Sequence, residues 1–325
     1  MQSKTKYALT DAQIAAIFVR AGLGTVESSR ALSDGWYNNV LEVCAAGTRY
    51  VLKVAPAPDV AVLSYEKDLM QQELEYIERL RTHTQVRVPR IVYQDFSRSV
   101  IPCDWFIMEY LEIPRLDKAA LTRAQKAAAT QAMAQLLAQF HTQKAVGFGY
   151  AQNGLEANWF LALHKMVRNM IADCARFGKK CPAGERLLRQ VEHYKAVLEK
   201  VDGVLVNYDM HVLNLFIAPE SGALTVIDLE RCFWGDPLGD FVIQEATVPP
   251  QKKKFLRLYN QYAQTPLTIG RDEQIRYYLL VGYLGVMMFT ERFSRYTPRN
   301  ATYWADIAGG LFFCALAFRG LKRLW

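Results

Sequence analysis

Residues 207–214 read Asn207-Tyr208-Asp209-Met210-His211-Val212-Leu213-Asn214, and 14 residues after Asn214 comes Asp228, in Thr225-Val226-Ile227-Asp228-Leu229-Glu230. Asp228 ends an apolar, strand-like run, where an acid is costly unless it meets a cation or a donor. Phosphoryl transfer uses three such groups. One carboxylate accepts or orients the proton of the attacking hydroxyl, while an amide and a second carboxylate hold the metal ions that bridge the phosphates. Taken alone, D-x-x-x-x-N followed by a strand-end Asp fits a turn Asp and a capping Asn equally well, so a second element has to decide.

That element lies upstream. Lys53 sits in Tyr50-Val51-Leu52-Lys53-Val54-Ala55, a strand otherwise apolar on both faces. An unpaired ammonium is disfavoured there. In the next helix Leu69, Glu73, Ile77 and Leu80 share one face, so Glu73 falls in the apolar stripe and needs a partner. A Lys53–Glu73 ion pair, with Lys53 reaching nucleotide phosphates, is the economical solution. Glu66 is the alternative acid, and an edge-strand lysine snorkelling to water is the alternative for Lys53.

Around these motifs the chain changes character. Thr10 and Gln13 make a capping box ahead of an Ile14, Ile17, Phe18 stripe ended by Gly22. Residues 36–54 read as a hairpin turning at Ala46-Gly47-Thr48. A helix is expected over 65–82, with strands at 90–94 and 105–109. After Tyr110 the period becomes helical. Thr122 and Gln125 cap a helix to about His141, and others are expected at 157–177, 185–200, 251–263, 272–292 and 301–320. Short β-like runs at 215–218 and 224–229 interrupt them. The expectation is an α+β chain with a small β-rich lobe, 1–109, and a larger helical lobe, 110–325.

Composition excludes several classes. The chain has 325 residues, 51% hydrophobic and 22% charged, which is ordinary globular usage. Its net charge of +7 is entirely C-terminal: from residue 241 onward there are 12 Lys/Arg against five Asp/Glu. The run Lys252-Lys253-Lys254 reads as a solvated helix face, and no nucleic-acid partner is expected. Six cysteines without C-x-x-C spacing read as reduced thiols. The longest apolar run, Ile307–Phe318, is short of the roughly 20 residues a bilayer needs and reads as a buried helix. The N-terminus has no apolar core of signal-peptide length. A soluble, cytoplasmic protein with no membrane partner is expected. No G-x-x-x-x-G-K-[ST] or G-x-G-x-x-G occurs, so a P-loop or dinucleotide fold is not supported.

The order of strand lysine, helix glutamate, Met108-Glu109-Tyr110-Leu111, D-x-x-x-x-N and strand-end Asp resembles the protein-kinase-like fold. More narrowly it resembles the aminoglycoside phosphotransferase family with its choline, homoserine and fructosamine kinase relatives. That family's loop usually reads H-G-D-x-H-x-x-N, then I-D-x-E, then G-D-P-x-x-D. Here these are N-Y-D-M-H-V-L-N, Ile227-Asp228-Leu229-Glu230 and Gly235-Asp236-Pro237-Leu238-Gly239-Asp240. Leu137–His141 and Gly147-Phe148-Gly149 with Trp159 match further family segments, and the resemblance covers about residues 25–245. It implies an ATP- and magnesium-dependent kinase for a small-molecule hydroxyl. Asp209 would be the catalytic carboxylate, with Asn214 and Asp228 as magnesium ligands. Lys53, positioned by Glu73, would contact the α/β-phosphates. Residues 108–111 would be the hinge, with backbone groups around Glu109 and Leu111 meeting adenine. Ser33 and Gly35 would belong to the phosphate-covering loop, and His211 would orient the catalytic loop. Asp236 and Asp240 read as structural, and His83, His141, His164 and His193 as surface or satisfied core residues.

Two departures stand out. Asn207-Tyr208 replaces the family's His-Gly, and the phosphate loop, 32–39, has a single glycine. They motivate the alternative of a catalytically weak nucleotide-binding module. The acceptor's charge is a separate expectation. Enzymes for polycations need carboxylates in the helical lobe. After Asp240 only Glu245, Asp272, Glu273, Glu291 and Asp306 are available, among many aromatics, most of them read as core. A neutral, singly charged or anionic acceptor is expected, unless acids such as Glu156, Asp173, Glu185 and Glu192 line the pocket.

Overall fold

The computed structural model describes residues 3–32, 37–296 and 301–325. Two compact units emerge. One comprises Met1–Val62, Pro89–Glu112 and Arg295–Thr297, and the other Leu63–Val88, Ile113–Ser294 and Pro298–Trp325.

In the first unit, helix α1 (Asp11–Arg20) starts at the expected capping box, Thr10 with Gln13. Five strands follow: β1 (Val26–Ala31), β2 (Asn39–Ala45), β3 (Thr48–Val54), β4 (Ile91–Asp95) and β5 (Trp105–Glu109). They form an antiparallel sheet in the order β1-β2-β3-β5-β4. The β2–β3 turn places Ala46 at φ 47° and Gly47 at φ 72°, the positive pair that matches strand twist in a two-residue hairpin. Strand alternation then sorts β3. Leu52 and Val54 join Ile14, Ile17, Phe18, Trp105 and Ile107 in the core beneath α1. Lys53, opposite Phe106 in the ladder, faces the other way.

The second unit contains α2 (Leu69–His83), α3 (Arg123–Phe140), α4 (Trp159–Arg176), α5 (Pro182–His193), α6 (Lys195–Leu198), α7 (Lys254–Tyr259), α8 (Arg271–Arg295, bar its last residue) and α9 (Ala301–Lys322). Two ribbons interrupt them. β6 (Val204–Val206) pairs with β9 (Phe233–Gly235), and β7 (Leu215–Ile217) with β8 (Leu224–Val226). Thr122 and Gln125 cap α3 as expected.

Two expectations change here. Lys253 is not on a solvated face: it is 1% exposed, and its ammonium donates to the carbonyls of Gln244 and Glu245. Helix α9 forms as expected but buries only one side. Tyr303, Ile307, Cys314, Ala317 and Leu321 are buried, whereas Trp304, Leu311 and Phe312 are exposed. Among the described residues, its Tyr303–Lys322 stretch is the one long and apolar enough to cross a membrane by composition, with a third of the window buried (33%).

Helices α8 and α9 cross where both carry glycine. A Cβ on Gly310 would lie 2.8 Å from the Gly285 carbonyl oxygen and 3.1 Å from the Phe289 nitrogen. Both neighbours are backbone and cannot swing away. Helix propensity alone favours Ala over Gly by up to about 1 kcal/mol, but overpacking of this kind costs about 1–3 kcal/mol. Gly310→Ala is therefore expected to lower the urea midpoint with an unchanged m-value. A midpoint equal to or above wild type would contradict this crossing.

Candidate active site

The site residues of the second unit are set by two short ribbons. β6 delivers the chain to Asn207, and the 3₁₀ turn Val212–Asn214 hands it to β7. Asp209 is fixed from four sides. Its amide N–H donates to Asn207 Oδ1 at 3.0 Å. Asn214 Nδ2 donates to its carbonyl at 3.1 Å and to its carboxylate Oδ2 at 3.2 Å. His211 Nε2 lies 3.4 Å from Oδ1, and Arg231 Nη1 donates to Oδ1 at 3.1 Å. Burial pushes the carboxyl up, but Arg231, His211 and Asn214 together outweigh it and hold it at about 2. The side chain retains 17% exposure, enough to meet a small reactant. Asp209 is therefore an anion at any working pH, an acceptor rather than a donor of hydrogen bonds.

The Asn207-Tyr208 departure has a structural explanation. Tyr208 adopts φ 60°, the conformation that favours glycine, at a cost of roughly 1–2 kcal/mol for a side-chain-bearing residue. Its ring is buried against Phe233 and Tyr283, and its hydroxyl donates to the Leu280 carbonyl on α8 at 2.8 Å. Asn207 supplies the acceptor for the Asp209 amide. Beneath both, Asp240 accepts from the amides of Asn207 (3.1 Å) and Tyr208 (2.7 Å) and meets His141 at 3.0 Å. His141 also bonds the Tyr259 hydroxyl at 2.7 Å. Asp240 is thus structural and His141 a satisfied core residue, as expected. His211 Nδ1 accepts the Leu213 amide at 3.2 Å, so its ring orients the loop and approaches Asp209 as well.

Asp228 follows β8 at φ 62°, a strained conformation of the kind held at functional sites. Ile227, just before it, donates to the Asn214 carbonyl at 2.9 Å, which ties the two proposed metal ligands to one register. Carboxylate oxygens of Glu73, Asp228 and Glu230 all lie within 4.8 Å of one another. Hard oxygen donors so arranged suit a magnesium ion. Glu73 Oε1 also accepts the Leu229 amide at 3.4 Å. Glu66, the alternative acid, caps its own turn by accepting the Leu63 amide at 2.7 Å.

In the first unit, Lys53 is buried with its ammonium 6.0 Å from the Phe106 ring centroid. Lys53 and Glu73 belong to different units, and their pairing is a proposal. Met108 and Glu109 end β5. The Glu109 amide donates to the Arg90 carbonyl at 3.0 Å, which leaves the Glu109 carbonyl and the backbone of Leu111 as the hinge candidates. Ser33 and Gly35 lie outside the described residues.

Sequence reasoning missed Arg231, and it counted Glu291 only among the acids available to an acceptor. Arg231 Nη2 grips Glu291 of α8 through both carboxylate oxygens, at 3.0 and 2.8 Å. A signal existed for Glu291, an acid shortly after the apolar Val286–Phe289 run, by the logic applied to Glu73. Its partner, 60 residues away, was not deducible from spacing.

Comparison with known proteins supplies the family and the fold. The profile of the phosphotransferase enzyme family matches residues 28–273. The chain belongs to that family. Among solved structures, this phosphotransferase is similar to a protein described as a candidate aminoglycoside phosphotransferase from Ralstonia eutropha JMP134 (16% identity, 97% of this chain and 99% of that one, TM-score 0.69). It is also similar to a candidate fructosamine-3-kinase from Haemophilus somnus 129PT (13% identity, 92% and 96%, TM-score 0.66). A third similar structure is a thermostable mutant of aminoglycoside phosphotransferase APH(4)-Ia, in a ternary complex with ADP and hygromycin B (17% identity, 94% and 98%, TM-score 0.60). At these identities the likeness establishes the protein-kinase-like fold. No curated protein matches the chain.

Proposed function

We propose that this phosphotransferase moves the γ-phosphate of ATP to a hydroxyl of a small molecule that is not a polycation. The observation that carries the reading is the Asp209 carboxylate, ionised, partly exposed and bonded to Asn214, on a loop in register with Asp228. The acceptor oxygen attacks the γ-phosphorus in line as the bond to the β–γ bridging oxygen breaks. ADP leaves, and the hydroxyl proton passes by way of Asp209 to solvent. Asp209 orients that hydroxyl, and most of the rate comes from positioning and charge neutralisation. Magnesium, when bound, would neutralise phosphate charge, and Asn214 and Asp228 would hold it, with Glu73 and Glu230 near Asp228. Lys53, positioned by Glu73, would contact the α/β-phosphates. Ser33 and Gly35 would cover them, and the backbone at 108–111 would read adenine. Residues 1–109 would act as the nucleotide lobe, 110–325 as the catalytic and acceptor lobe, in the cytoplasm.

The acids of the helical region support a non-polycationic acceptor, because most are already engaged. Glu156 pairs with Lys165 (2.6 Å), Asp173 with Arg176 (2.7 Å), Glu291 with Arg231 (2.8 Å) and Asp306 with Arg292 (2.9 Å). Glu245 accepts the Phe255 amide at 3.0 Å. The same intact loop argues against the catalytically weak alternative, since the Asn207 and Tyr208 substitutions each make a compensating bond. Steady-state assays with a kanamycin-type acceptor are expected to give a kcat/KM below about 10⁴ M⁻¹s⁻¹, the low end for real enzymes. A higher value would refute this acceptor class.

A further inference from the structure

The second unit contains a charge pair that the catalytic reading does not use. Arg231 stands between two acids. One guanidinium nitrogen donates to Asp209 Oδ1 at 3.1 Å, and the other grips Glu291 at 2.8 and 3.0 Å. Glu291 is in turn fixed by the Tyr65 hydroxyl, which donates to its Oε1 at 2.6 Å. Tyr65 is 2% exposed and stacks on Tyr150 at a centroid distance of 5.2 Å. The chain Tyr65–Glu291–Arg231–Asp209 therefore runs from a packed aromatic cluster, through α8, to the loop carboxylate. Each link is a charged or hydroxyl donor on a carboxylate, the stronger class of hydrogen bond, and the two-nitrogen fork of arginine sets direction as well as distance.

We propose that Arg231, clamped by Glu291, is the positioning residue for Asp209 and the element that excludes cationic groups from the space beside it. This rests on the phosphotransferase site proposed above. Asp209 Oδ1 and Oδ2 are taken by Arg231 and Asn214 respectively, which leaves its carboxylate little rotamer freedom. Even partly buried ion pairs contribute little net stability but can fix a single geometry, and here the geometry fixed is that of the reacting carboxylate. The same guanidinium occupies the position at which an acceptor's ammonium would otherwise meet Asp209 and Glu291. A second cation there meets a like charge at short range, where screening by water is weak.

Two measurements test this, and one of them needs neither acceptor nor nucleotide. The first is ATP hydrolysis with water as acceptor. Arg231→Met is expected to lower kcat at least tenfold with the KM for ATP within twofold of wild type. Arg231→Lys should restore part of the loss, and Glu291→Gln should fall between. The second is calorimetric titration with 1,3-diaminopropane. Arg231→Met, which leaves Asp209 and Glu291 facing each other without their cation, is expected to bind the diamine at least tenfold more tightly than wild type. The double variant Arg231→Met/Glu291→Gln is expected to lose that gain. If Arg231→Met does not fold, Arg231→Lys and Glu291→Gln decide the hydrolysis comparison. Wild-type kcat in Arg231→Met, or in both of those variants, would overturn the proposal. Equal diamine affinity in wild type and Arg231→Met would overturn it too. Absence of ATP binding by wild type would instead refute the phosphotransferase reading, with the diamine comparison still judging Arg231.

Discussion

Asp209→Asn is expected to leave the fold and ATP binding nearly intact and to lower turnover by about 10²-fold or more, the scale of general-base and orienting effects. The amide is isosteric, and the backbone contacts from Asn207 and Asn214 to residue 209 do not depend on its charge. What disappears is the anion that accepts the hydroxyl proton. Arg231 and His211 also lose their shared anionic acceptor, but Arg231 keeps Glu291, so no cation is stranded and the loss of stability is small. Turnover by the purified variant, with its melting temperature measured alongside, checks this. Full activity in a folded Asp209→Asn protein would remove Asp209 from its assigned role.

Asp228→Ala is expected to abolish the magnesium-dependent ATP binding proposed above. Hard divalent cations take their affinity from anionic oxygen ligands; in the proposed site Asn214 supplies a neutral oxygen, and Asp228 is the anionic ligand that joins it to the neighbouring Glu73 and Glu230 carboxylates. The substitution also releases a residue held at φ 62°. Alanine tolerates the left-handed region less well than aspartate, so the loop is expected to relax. Lys53→Ala is expected to weaken ATP binding by a smaller factor, because it would remove one cation from the phosphates and leave the proposed metal ligands in place. Calorimetric titration with ATP, with and without magnesium, separates the two. ATP affinity in both variants equal to wild type would end the phosphate-site assignment.

Much of the architecture was legible because it rests on local rules. The boxes at Thr10 and Thr122 start α1 and α3 where expected, and the Ala46-Gly47 turn closes the β2–β3 hairpin. Strand β1 was not legible. Its sequence, Val-Glu-Ser-Ser-Arg-Ala, has almost no buried face, so neither alternation nor an apolar run marks it. β6 and β9 are three residues each and pair across 26 intervening residues, too short for a period to register. Lys253 misled because a lysine run usually means solvent, whereas two backbone carbonyls satisfy this one in the interior. Helix α9 misled in the other direction: an apolar run states only that a helix can be buried, and its Trp304 and Phe312 side is not.

At the site, residues within the eight-residue loop were readable because their spacing is their chemistry. The Tyr208 substitution could be read only as a missing glycine. That its hydroxyl reaches Leu280 on α8, 72 residues along the chain, is a fact of the fold. The pairing of Arg231 with Glu291 was invisible for the same reason, because only tertiary structure places the two together and sets Arg231 against Asp209.

The central claim is phosphoryl transfer from ATP to a small hydroxyl compound through Asp209. Its most direct test is mass-spectrometric detection of phosphorylated product after wild-type protein and Asp209→Asn are each incubated with ATP, magnesium and a panel of neutral, singly charged, anionic and polycationic hydroxyl compounds. The account predicts product from at least one compound with wild type and at least a hundredfold less with Asp209→Asn. Product formed equally by both proteins, or formed by wild type only from polycationic compounds, would contradict it.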